Sequence, residues 1–84
     1  MKDSGLPAEG YTLRSRRTGE VLKYGETTRG PQRYSQKYLE SVDTEILFEA
    51  TGTKAQMYEW QHQRILEYEA AHGGQRPPLN KSDY

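Results

Sequence analysis

The feature that most limits what this chain can fold into is a pair of short triplets, Gly10-Tyr11-Thr12 and Lys23-Tyr24-Gly25, with ten residues between them. Ten residues are enough for two strand ends and a tight turn, and for nothing larger. Tyr11-Thr12-Leu13 and Val21-Leu22-Lys23-Tyr24 are rich in side chains that suit a pleated surface. Between them, Arg16-Arg17-Thr18-Gly19-Glu20 contains a Thr-Gly step suited to a tight turn. A β-hairpin is therefore expected near the start of the chain.

Further along, Pro31 suits the first turn of a helix, because its missing N–H would be unpaired there anyway, and residues 32–39 continue that helix. Ile46-Leu47-Phe48-Glu49-Ala50 is the most apolar run and is too short for a stable helix, so the central strand is expected there. Thr53 followed three residues later by Gln56 makes a capping box for a second helix. That helix runs to about His72 and stops at Gly73-Gly74, where glycine can adopt the left-handed terminating conformation. In the tail, Pro77 and Pro78 set an extended entry and Leu79 offers an apolar anchor, so residues 76–80 are expected to be ordered. The order β-β-α-β-α plus an ordered tail predicts a small α+β domain, a three-stranded antiparallel sheet with two helices.

A chain of 84 residues makes one domain, and with 32% hydrophobic residues its core is small and its stability modest. The absence of cysteine excludes a disulfide framework and a zinc-thiolate centre. No run of about 18 apolar residues exists to span a membrane. Met1-Lys2-Asp3-Ser4-Gly5-Leu6-Pro7 lacks an apolar signal region, so residues 1–9 read as the remnant of a linker and 10–84 as the domain. The net charge of zero hides an asymmetry: residues 1–40 carry +3 and residues 41–84 carry −3. Phosphate contacts are expected from the first half, Arg29 and Lys37 among them.

Arg33 stands eight residues after Gly25, and after the Thr53 helix come Pro78 and Asn80. In this order, over residues 10–80, the chain resembles the GIY-YIG nuclease family. The resemblance implies an endonuclease acting on DNA, in which a tyrosine-assisted water attacks phosphorus, an arginine clamps the phosphate, and a divalent metal, Mg, sits on a helix glutamate. It implies catalytic roles for Tyr11 or Tyr24 and for Arg33, with Asn80 as support. The aromatics Tyr11, Tyr24, Tyr34 and Tyr38 keep RNA open as the substrate. The tail also resembles the ends of toxin domains in contact-dependent inhibition and Rhs-type bacterial proteins. That implies a domain secreted at the tip of a larger toxin, delivered to the target-cell cytoplasm, and existing as a monomer or as a heterodimer with a cognate immunity protein.

Two departures from the family pattern shape the residue assignments. Tyr11 and Tyr24 stand in the middle of their triplets, and because alternate strand residues face opposite sides, either a bulge restores them or Lys23 replaces the second tyrosine. Where a metal-binding glutamate is expected, the helix reads Trp60-Gln61-His62-Gln63, with Gln61 in the inward stripe Met57, Gln61, Ile65, Tyr68. An amide is a poor magnesium ligand. Three readings stand: Gln61 or Gln63 is an engineered Glu→Gln change, another carboxylate such as Glu26 or Glu59 serves, or no metal is needed and His62 acts as general acid or base. Arg33 is the firmest assignment, because a guanidinium fork can hold two phosphate oxygens at once. The rival from another class is a non-catalytic module using the basic first half to hold nucleic acid or a protein partner.

Overall fold

A computed structural model describes residues 5–83. Strands β1 (Pro7–Ser15) and β2 (Val21–Thr27) form the expected antiparallel hairpin. Strand β3 (Thr44–Thr53) pairs antiparallel with the other side of β1, which makes the sheet order β2-β1-β3. Helices α1 (Gln36–Ser41) and α2 (Lys54–Ala71) complete the α+β architecture. The linker boundary moves, however. Residues 1–4 lie outside the described residues, but Pro7, Ala8 and Glu9 already belong to β1, opposite Thr53, Gly52 and Thr51.

The central strand is β1, and the apolar run Ile46-Leu47-Phe48-Glu49-Ala50 lies in an edge strand. Leu47 and Phe48 are 41% and 36% exposed, whereas Ala8, Tyr11, Thr12 and Leu13 of β1 are all buried. Small residues disguise this centrality. Ala8, Gly10 and Thr12 share the β1 face that α2 covers, and a Cβ on Gly10 would lie 2.5 Å from the Trp60 ring, so the indole rests directly on strand backbone. The sheet carries a bulge: Gly10 pairs with Ala50 but Tyr11 with Phe48, leaving Glu49 as the extra residue. Its carboxylate takes the Thr12 hydroxyl and the Arg14 guanidinium, the latter at 3.1 Å.

The expected first helix is divided. Gly30–Arg33 forms a 3-10 turn with Pro31 near its start, and Tyr34 then adopts an extended backbone at φ −127°, ψ 142°. Ser35 restarts the chain as an N-cap, its hydroxyl accepting the Tyr38 N–H at 3.0 Å. The break turns the Tyr34 ring onto the sheet, and α1 then buries Leu39 against Tyr11 and Leu13. Helix α2 begins at the predicted capping box, in which Thr53 Oγ1 accepts from Gln56 N–H at 3.1 Å and Gln56 Oε1 from Thr53 N–H at 2.9 Å. It ends before Gly73, whose φ of 66° is left-handed. The tail docks as expected. Pro77 is buried, Leu79 packs on the Tyr11 cluster, and its N–H donates to Leu22 O at 2.8 Å along the outer edge of β2.

Candidate functional site

Strand register decides which triplet residues can act together. Tyr11 lies opposite Gly25 and Leu13 opposite Lys23, so Tyr11 and Lys23 share one face of the hairpin. Thr12 lies opposite Tyr24, and both face α2. The register between Tyr11 and Leu13 is unbroken; the β1–β2 shift falls later, between Leu13 and Arg14. Lys23 thus stands beside Tyr11, while Tyr24 turns away and packs edge-on against Trp60 with ring centroids 6.0 Å apart. Gly25 is required here, since a side chain on it would occupy the space of the Tyr11 phenol.

On the Tyr11 face the side chains converge on Tyr34. Its hydroxyl lies 2.8 Å from the Tyr11 hydroxyl and accepts from Lys23 Nζ at 2.9 Å. The Tyr11 and Tyr34 rings meet edge to face at 5.7 Å, and Tyr38 stacks on Tyr34 at 5.2 Å and 16°. The Arg33 guanidinium lies over the Tyr34 ring, 4.4 Å from its centroid. Burial, followed by the hydrogen bond with Tyr34, pushes the Tyr11 hydroxyl well above the ordinary tyrosine range. Tyr11 therefore stays protonated and anchors Tyr34 from below.

The charges around this cluster are unequally satisfied. Arg14, Lys54, Arg64 and Arg76 each pair with a carboxylate. Among the described residues no carboxylate pairs with Lys23, Arg29, Arg33 or Lys37. Arg29 and Arg33 line a polar cleft of about 380 Å³ together with Glu26, Thr27, Thr28 and Lys54. Glu26 Oε1 is held by Lys54 at 3.0 Å, whereas its Oε2 is buried with no hydrogen-bond partner among the described residues. Cations without carboxylate partners on one side of a neutral protein make a local positive field suited to an anion.

The remaining candidates are placed elsewhere or differently. Asn80 supports the hairpin backbone: its Oδ1 accepts from Tyr24 N–H and its Nδ2 donates to Tyr24 O, both at 3.0 Å. His62 Nδ1 is 2.7 Å from the Asp83 carbonyl oxygen, which ties the ring to the tail. Lys37 is exposed on α1 beside Tyr38. Gln61 is buried in α2 between Met57 and Ile65. Of the two residues expected to hold magnesium, Glu26 already has one oxygen committed to an ammonium and Gln61 is a neutral amide. One carboxylate already neutralised by an ammonium, beside a neutral amide, does not fit a dication that prefers several carboxylate oxygens.

Tyr34 is the residue that sequence reasoning underweighted, grouping it only with aromatics able to meet a base. Its one local signal was Ser35, an N-cap residue that ends the preceding turn and frees Tyr34 to extend. Compared with models of known families, with curated proteins and with solved structures, the chain matches none of them.

Proposed function

We propose that the protein is a nucleic-acid phosphodiesterase whose site is the cluster Tyr11, Lys23, Arg33 and Tyr34. The observation that carries this reading is the convergence of Lys23 and Arg33 on one phenol, with no carboxylate partner for either among the described residues. Hydrolysis forms one P–O bond and breaks another while negative charge grows on the non-bridging oxygens. Arg33 clamps those oxygens. A water attacks phosphorus; Tyr34 can pass its proton to the leaving oxygen while taking one from Lys23 along their existing hydrogen bond, and the proton released by the water restores the Lys23 ammonium. Tyr11 fixes Tyr34, and Asn80 holds the β2 backbone one residue beyond Lys23.

In this reading the domain is a toxin delivered to a target-cell cytoplasm, and an immunity protein offers acidic groups to Lys23, Arg29 and Arg33. Gln61 favours a second reading, a binding module on the same scaffold that has lost its metal carboxylate. Cleavage of plasmid DNA and of single-stranded RNA by the wild type and by Gln61→Glu, each with and without EDTA, separates the two. The phosphodiesterase reading expects EDTA-insensitive cleavage of at least one of the two substrates by the wild type; cleavage only by Gln61→Glu, and only without EDTA, supports the binding module.

A further inference from the structure

Two features beside the proposed site bear on what it binds. The first is the stack of Tyr38 on Tyr34. Tyr38 remains 39% exposed, so an aromatic face continues outward from the ring that Arg33 covers, with Lys37 next to it in the chain. A duplex keeps its bases inside, and an exposed ring beside cations that lack carboxylate partners among the described residues is matched by a strand whose bases are free. The second is Glu26 Oε2, a buried carboxylate oxygen with no partner among the described residues, in the cleft that Arg33 and Arg29 line. A buried acceptor left unmatched is costly, and it calls for a ligand that brings a donor. A strand drawn in by the arginines carries phosphates, which are acceptors only. The donor that sits next to each phosphate in RNA, and is missing in DNA, is the ribose 2′-hydroxyl.

We propose that the site takes single-stranded RNA, with an unpaired base stacked on Tyr38, phosphates on Arg33 and Arg29, and a ribose 2′-hydroxyl donating to Glu26 Oε2. This rests on the proposed phosphodiester site. Tyr34 joins the two halves, since Arg33 belongs both to its ring contact and to the cleft.

The test is fluorescence-anisotropy binding of one short sequence in four forms: RNA, 2′-O-methyl RNA, DNA, and the RNA annealed to its complement. The expected order is RNA tightest, DNA and 2′-O-methyl RNA each about tenfold or more weaker, and duplex weakest. Tyr38→Ala should weaken RNA binding by roughly ten- to a hundredfold and leave the weak duplex binding unchanged. Equal affinity for RNA, DNA and 2′-O-methyl RNA overturns the Glu26 contact, and a duplex preference overturns the single-strand platform. Arg33→Ala distinguishes the two levels. If it leaves binding of every form unchanged, the underlying site is wrong; if it weakens all forms equally while the RNA preference is absent, the site stands and this inference fails.

Discussion

Removing the Tyr34 hydroxyl should destabilise the protein more than removing both hydroxyls of the pair. Tyr11 is 1% exposed, and its hydroxyl is hydrogen-bonded to the Tyr34 hydroxyl at 2.8 Å. Tyr34→Phe leaves the Tyr11 hydroxyl buried and unsatisfied, a cost of about 1–3 kcal/mol, while Lys23 turns to water. Tyr11→Phe removes the buried polar group itself, and half-buried Tyr34 keeps Lys23, so about 1 kcal/mol or less is expected. In the double variant no orphan remains, and its loss should fall below that of Tyr34→Phe alone. Urea unfolding followed by Trp60 fluorescence measures all four proteins. With a slope of about 1 kcal/mol/M for a domain this small, Tyr34→Phe should lower the midpoint by about 1–3 M. Equal and additive losses from the two single variants would refute a coupled buried pair.

The pair also sets an alkaline limit. Because the folded-state pKa of Tyr11 lies above its ordinary value of 10.0, the folded protein retains a proton that the unfolded chain loses. Stability should be unaffected by this group below about pH 10 and fall as pH rises further, and Tyr11→Phe should flatten that fall; an unchanged alkaline slope in the variant contradicts it. Asn80→Ala removes both hydrogen bonds to the Tyr24 backbone, about 1–2 kcal/mol together, whereas truncation after Gly74 also strips Pro77 and Leu79 from the body and should cost more. Equal thermal midpoints for the two variants would show that Leu79 contributes nothing. An acidic immunity partner that covers Lys23, Arg29 and Arg33 should bind more weakly as salt rises, and salt-independent affinity by calorimetry counts against it.

Much of the fold was legible because its signals are local. The hairpin followed from triplet spacing, and α2 from the Thr53–Gln56 box and Gly73. The strand order was not, because a count of apolar residues favours Leu47 and Phe48 and overlooks Ala8, Gly10 and Thr12, whose small side chains let α2 press on β1. The first helix was read as continuous because Pro31 starts a turn well, while the restart at Ser35 depends on one cap. Around the Tyr34 cluster, the placement of Lys23 on the Tyr11 face was legible from strand parity. Tyr34 was not, since its contact with Tyr11 spans 23 positions and no period connects them. Tyr24 and His62 lie away from this cluster for the complementary reason: residue type suggested chemistry, but register turns Tyr24 toward Trp60 and the docked tail holds His62.

The most direct test of the phosphodiester site is single-turnover cleavage of a fluorescent oligonucleotide by the wild type and by Arg33→Ala, with circular dichroism confirming that both are folded. Loss of one transition-state donor should slow cleavage by roughly a hundredfold or more, equivalent to about 3 kcal/mol. A folded Arg33→Ala protein that cleaves at the wild-type rate would contradict the account.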